Sequence, residues 1–322
     1  MTKLYLHAGM PKTGTSYIQS CFNVNREYIS KAGGVLILAN RLPHNLACNF
    51  IDSDRLISRK DIYGLKREVD IDDLAKLLDK SNGFSKTFIS SEYFHIANKE
   101  KLVDFLKRFY DEIEIVYTVR RQDELLASGY NQDVKALSRT TNLNWKNTDK
   151  VLDYYETCNA WLELGCSIKI IPYDQIRYKD KGLESEFLQL LDIAPNCLSE
   201  LKPISNGEGA NYSLSAEGVK LKLALNRKNM DDFKLISDFS RSELAKSDFL
   251  LPKIFSDSVK LAYFESNRKF ISKFCEGEEI FGEEYMCLSQ DAKVVDYFDW
   301  DPTEGVKNLL DYLICSYRDS QS

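Results

Sequence analysis

Five short apolar runs separated by helical patterns constrain this chain more than any other feature. The runs are Leu4–His7, Val35–Leu38, Thr87–Ser90, Ile113–Val119 and Ile168–Pro172, rich in the β-branched and aromatic residues of strands buried on both faces. Helical patterns occupy Thr15–Asn25, Ile71–Leu78, Lys99–Tyr110, Asp123–Lys135 and Asp149–Leu164. Alternation of this kind implies a mostly parallel sheet with helices on both faces. The fold expected is α/β, in three layers. Beyond Asp192 the pattern changes: Leu214–Asn226, Ser256–Glu276 and Thr303–Tyr317 look helical and no strand is expected. An α/β core over 1–200 is therefore expected, with a helical C-terminal part over 201–322 packed on it rather than an independent domain. The segments Ser138–Asn147 and Ile204–Tyr212 are polar and expected as loops.

Composition narrows the partners. The 322 residues are 43% hydrophobic and 29% charged, an ordinary globular balance that can bury a full core. The net charge of −6 predicts no general attraction to nucleic acid or to an anionic membrane. An anionic ligand would need a local pocket of basic groups and backbone amides. No stretch approaches the ~18 apolar residues of a membrane span, and Met1–His7 runs into a strand without the apolar core of a signal peptide. Eight scattered cysteines without a CxxC pair suggest reduced thiols and a cytoplasmic protein. With three histidines at no ligand-like spacing, no metal is expected.

The most informative stretch follows the first strand: Gly9-Met10-Pro11-Lys12-Thr13-Gly14-Thr15-Ser16. A tight turn containing Gly9, Pro11 and Gly14 delivers the chain to a helix that starts near Thr15. The amides of Thr13, Gly14, Thr15 and Ser16 would converge at the helix N-terminus, where an anion is favoured. Thr15 and Ser16 add hydroxyls, and Lys12 adds positive charge. The spacing is not that of the Walker A loop, in which lysine follows the last glycine. A simpler possibility is a turn before a helix with Lys12 merely solvated.

A second motif closes the fourth strand: Arg120, followed eight residues later by Ser128 on the helix between them. The carboxyl end of a strand is where open parallel sheets bind ligands. A planar guanidinium can donate two parallel bonds to a phosphate. Taken alone, Arg120 reads better as a surface residue paired with Asp123 or Glu124, and Arg121 could share its duty.

In this order the two motifs resemble those of the sulfotransferases that use 3′-phosphoadenosine 5′-phosphosulfate (PAPS), of the bacterial carbohydrate type. Pro11-Lys12-Thr13-Gly14-Thr15-Ser16 is similar to the family's 5′-phosphosulfate loop, and Arg120 with Ser128 to its 3′-phosphate site. Ile168–Asp174, Phe187–Leu191 and Asn211–Glu217 resemble later family segments, although Ser213 or Ser215 is read first as a helix cap. The resemblance covers most of residues 1–230. It implies a P-loop-like fold, a PAPS co-substrate held by Lys12, Thr13, Gly14, Thr15, Ser16, Arg120 and Ser128, and a role for Lys12 at the bridging oxygen of the departing group. It also implies a small-molecule or glycan acceptor, with specificity residing in Ala39–Tyr63 and beyond Asn226.

Sulfuryl transfer by in-line displacement through a loose transition state rests on positioning and charge. A hydroxyl acceptor still needs a base. Three candidates stand out: Glu92, at the carboxyl end of the third strand; His44, after the second; and His95, three residues past Glu92. Glu92 is preferred and His44 comes second. Each has a plainer reading: a helix N-terminal charge or ion pair for Glu92, a loop or core residue for the histidines. His7 is expected as a packed strand residue, and Ser90 and Ser91 as weak candidates for orienting donor or acceptor. Two alternatives stand beside the transferase: a nucleotide-dependent kinase or NTPase, and a nucleotide-binding protein without chemistry.

Overall fold

The computed structural model describes residues 1–38, 41–53, 69–79, 83–136, 138–144, 146, 152–204, 213–230, 233–242, 249–287 and 297–298. These fall into two compact units. The first draws on Met1–Arg121, Lys150–Ser205 and Phe264–Met286, the second on Gln122–Asp149, Asn206–Tyr263 and Cys287–Ser322.

All five expected strands form, within the first unit: β1 (Lys3–His7), β2 (Val35–Leu38), β3 (Lys86–Ser90), β4 (Glu112–Val119) and β6 (Ser167–Pro172). They make one parallel sheet in the order β2-β3-β1-β4-β6. From β1 the chain travels to the β2 and β3 side, and from β4 to the β6 side. The segments leaving β1 and β4 therefore part at the carboxyl edge, the place where open sheets form a ligand crevice.

Helices α1 (Thr15–Val24) and α2 (Arg26–Gly33) follow β1, and α3 (Leu42–Asn49) and α4 (Ile71–Asp79) lie between β2 and β3 in sequence. Then come a 3₁₀ turn (Glu92–Ile96), α5 (Lys99–Leu106), α6 (Gln122–Ala136), α7 (Tyr154–Glu163), the single turn α8 (Tyr173–Ile176) and α9 (Gly182–Leu190). One sheet face presents Tyr5, Phe88, Val116 and Ile171 to Ile18 and Phe22 of α1, Ile29 of α2, and Phe187, Leu188 and Leu191 around α9. Buried Leu102, Val103 and Leu106 of α5 and Tyr154, Cys158 and Trp161 of α7 supply a second apolar set. Tyr154 meets Phe270 and Phe281 at ring separations of 5.8 and 5.9 Å, and Tyr117 of β4 at 6.3 Å.

The second unit contains α6, the short β5 (Leu143–Asn144), α10 (Ala216–Arg227) and α11 (Phe233–Arg241). The side chain of Asn131 bonds the backbone of Leu214 in both directions, at 2.7 and 3.0 Å, and Asn226 Nδ2 donates to the carbonyls of Val134 and Arg139. Ser215 caps α10 by accepting from Gly218 N at 3.0 Å. The long α12 (Lys253–Phe274) follows. The expectation of no late strand is corrected: β7 (Tyr297–Phe298) pairs antiparallel with β5, inside a segment read as loop. A two-residue bridge leaves no periodicity to read in sequence. The expected helix Thr303–Tyr317 and Ala39–Asn40 and 54–63 of the expected specificity segment lie outside the described residues. Among the described residues, no helix is long and apolar enough to cross a membrane and no cluster of His, Cys, Asp and Glu is placed to hold a metal.

Candidate functional site

The segment leaving β1 turns sharply before α1. Lys12 adopts φ 67° and Gly14 φ 79°, both in the left-handed region. Left-handed backbone suits glycine and strains lysine, and strain at a non-glycine residue persists only where the surroundings enforce it. Gly14 is favoured by this left-handed backbone, and a β-carbon there would fall 2.7 Å from Leu183 Cδ1, so that side chain would have to move aside. The turn is pinned from within: the Thr13 and Thr15 hydroxyls both donate to the Met10 carbonyl, and Tyr117 OH donates to Met10 Sδ at 2.9 Å. Ile18 N donates to Gly14 O at 3.0 Å, so the amides of the first turn precede any intrahelical acceptor. Thr13 and Thr15 are buried, Lys12 and Gly14 half-buried, and Ser16 exposed.

Arg120 leaves β4 beside this turn. Its Nη1 donates to the carbonyl oxygen of Lys12 at 3.2 Å. Its Nε lies 3.6 Å from Asp174 Oδ1, and its guanidinium stands 5.5 Å from the Tyr173 ring centre. Asp174 is shared: Oδ2 accepts from Arg121 N at 2.7 Å, and Arg177 Nη1 lies 3.6 Å from Oδ1. Tyr154 OH donates to the Arg120 carbonyl at 2.5 Å. Three arginines and Lys12 thus gather at the carboxyl edges of β1, β4 and β6 in a chain of net charge −6. The Arg120 and Arg177 guanidiniums and the Arg121 backbone amide share the Asp174 carboxylate, while the Arg121 guanidinium lies over the Tyr285 ring, 4.7 Å from its centre. Ser128 lies half-buried on α6, in the second unit.

At the end of β3 the base candidates come together. Ser91 starts the 3₁₀ turn, its hydroxyl accepting from Tyr93 N at 3.2 Å and meeting His44 Nδ1 at 2.7 Å. His44 stands edge-on to Tyr93, 5.0 Å between ring centres. Burial lowers the His44 pKa, and the nearby Glu92 carboxylate opposes that shift. Among the described residues, the buried Oε2 of Glu92 has no hydrogen-bond partner. His95 turns back on its own segment, its Nδ1 against the Glu92 carbonyl.

Several site residues escaped the sequence. Asp174 and Tyr173 end the fifth strand's motif, and their place at the sheet's ligand edge was a usable signal. Arg177 had none. His7 is buried as expected, yet both its ring nitrogens are engaged: Nδ1 with Ser90 Oγ at 2.8 Å and Nε2 with Thr118 Oγ1 at 3.0 Å.

No family model matches the chain. An uncharacterized protein of Archaeoglobus fulgidus is 28% identical over 206 residues, 61% of this chain and 53% of the relative, so the chain spans about half the length of that relative. The crystal structure of a sulfotransferase from Alicyclobacillus acidocaldarius is similar with a TM-score of 0.43 and 14% identity, over 70% of this chain and 92% of that one.

Proposed function

We propose that the protein is a PAPS-dependent sulfotransferase that moves a sulfuryl group onto a hydroxyl or amine of a carbohydrate-like acceptor. The observation that carries this reading is the 3.2 Å bond from Arg120 Nη1 to Lys12 O. It joins the two elements that the sequence motifs assign to opposite ends of one bisphosphorylated nucleotide. Had they faced different places, one donor could not use both.

The residues present suit such a ligand. The turn offers first-turn amides, the Ser16 hydroxyl and Lys12 to one anionic group, while Arg120 offers a guanidinium held beside it by Asp174. Ser128 enters the proposal on its spacing from Arg120 alone. Lys12 stabilises the charge that builds on the leaving oxygen, the kind of preorganised electrostatic help that is worth about 10²–10³-fold per donor. Glu92 is the preferred base. A buried carboxylate oxygen lacking a donor among the described residues would be satisfied by an acceptor hydroxyl, whose proton it then takes as the oxygen attacks sulfur. His44, less easily protonated because it is buried, is the second candidate and sits within the influence of Glu92.

The test is calorimetric titration of the purified protein with 3′-phosphoadenosine 5′-phosphate, adenosine 5′-phosphate and Mg-ATP. It is followed by incubation with sulfur-labelled PAPS and a panel of saccharides with free hydroxyls and amines. Preferential binding of the bisphosphate and transfer of label are expected. Preference for Mg-ATP, with no label transferred, rejects the proposal in favour of a kinase-like protein.

A further inference from the structure

His7 takes no part in the chemistry just described, yet it lies directly beneath it. It is the last residue of β1, 1% exposed, and the only charged or polar side chain on that strand apart from Lys3 at its start and the Tyr5 hydroxyl. Its ring is flanked by Phe88 at 6.2 Å and Phe187 at 4.8 Å. Nδ1 meets Ser90 Oγ on β3, and Nε2 meets Thr118 Oγ1 on β4. The backbone repeats the same ties, Ser91 N donating to His7 O at 3.1 Å and Ala8 N to Val116 O at 3.0 Å. Gln19 of α1 extends the network, its Nε2 donating to Ser90 O and Oγ at 3.1 and 3.3 Å.

The imidazole is also the floor of the turn. A β-carbon at Gly9 would fall 2.3 Å from His7 Nε2 and 2.8 Å from Thr15 Oγ1, so the backbone of the turn rests on the ring. Three strand ends meet here, and each carries one part of the site: β1 leads to Lys12, β3 to Glu92 within two residues of Ser90, and β4 to Arg120 within two residues of Thr118.

We propose that His7 is a positioning residue that bridges the ends of β1, β3 and β4 and so sets the spacing between the anion-binding turn, the base segment and Arg120. Its roles in the turn and at β3 follow from geometry alone; their consequence for turnover rests on the transferase reading above. Burial keeps the ring neutral, with a pKa lowered to about 3, so one ring nitrogen donates and the other accepts, and the two hydroxyl partners can each take the complementary role. Misplacement of reacting groups by about 1 Å costs on the order of 100-fold in rate.

The experiment compares Ser90→Ala, Thr118→Val, His7→Gln and His7→Leu with the native chain by amide hydrogen exchange and, separately, by turnover. The expected result is faster exchange confined to residues 9–16 and 91–93, with the amides of β6 unchanged. The turnover number should fall about 10- to 100-fold and the donor KM should rise with it, because the turn and Arg120 both hold the donor. His7→Gln, which keeps one polar partner, should lie closer to native than His7→Leu. If the histidine variants do not fold, Ser90→Ala and Thr118→Val decide the matter. Exchange and turnover per folded molecule that stay native in these variants, or exchange that rises uniformly across the sheet, would overturn the proposal. A native protein that neither binds the bisphosphate nucleotide nor transfers label rejects the transferase reading instead, and the exchange pattern still scores His7.

Discussion

Arg120 and Asp174 meet at 3.6 Å, Nε to Oδ1, from the carboxyl ends of neighbouring strands β4 and β6. The same carboxylate accepts the Arg121 amide and approaches Arg177, so it sets the direction in which the Arg120 guanidinium faces the turn at Lys12. Replacing Arg120 by alanine is expected to weaken binding of 3′-phosphoadenosine 5′-phosphate by about 10- to 100-fold, the effect of losing one charge-assisted bond of about 1.5–3 kcal/mol. Arg120→Lys should recover only part of that, since an ammonium lacks the planar fork. Calorimetric titration measures both, and an unchanged affinity would count against the assignment.

Lys12→Ala separates chemistry from fold. Alanine carries the same β-carbon, so φ 67° is no more costly than in the native chain. Thermal stability is expected to stay near native while turnover falls by at least about 100-fold. Near-normal turnover rejects the role of Lys12 at the leaving oxygen.

The rate should depend on pH through the base segment. A base must be neutral imidazole or carboxylate to accept a proton, and burial lowers the His44 pKa from 6.5. Any His44 contribution therefore appears as a loss of rate on the acid side, below pH 6.5, with a plateau through neutrality. His44→Gln should cost about 10²–10⁴-fold on the plateau and remove that acid limb if His44 is the base, whereas Glu92→Gln should cause that plateau loss if Glu92 is, with His44 contributing no limb. Measuring turnover across pH in both variants tells the two apart.

Acid should also unfold the protein through His7. The folded pKa, about 3, lies below the ordinary 6.5, so between these values the unfolded chain binds a proton that the folded chain does not. Stability is then fully present above pH 6.5 and declines as pH falls, by about 2 kcal/mol from this group between pH 6.5 and 5. Urea midpoints measured at the two pH values test this, with His7→Gln expected to show a shallower decline. An equal slope in both proteins places the acid sensitivity elsewhere.

Gly14→Ala should destabilise the turn. The left-handed backbone adds about 1–2 kcal/mol for a residue with a β-carbon, and the Leu183 side chain must shift to make room. A fall in the thermal midpoint together with weaker nucleotide binding is expected; a variant as stable and as tightly binding as the native chain contradicts the need for left-handed backbone at residue 14.

Much of the first unit was legible residue by residue. The five apolar runs became the five strands of the parallel sheet; β1 and β3 are buried along nearly their whole length and largely apolar for that reason, whereas edge strand β6 keeps Ser167 and Lys169 exposed. The turn was legible because Gly14 needs a backbone that few residues tolerate and Lys12 sits in an otherwise neutral stretch. Helix limits moved by a few residues, as at Lys99–Leu106, where sequence periodicity continued past the last helical bond.

Sequence order, local spacing and residue type thus determined which segments are strands, where the anion-binding turn lies and which side chains could do chemistry there. Only tertiary structure decided their company. Parallel pairing places β1 between β3 and β4, and that order alone puts His7 between Ser90 and Thr118, 83 and 111 residues away along the chain. It also brings Asp174 to Arg120 across the edge of β4 and β6. Long-range hydrogen bonds of this kind leave no periodic trace, because each depends on strand register rather than on neighbours in sequence.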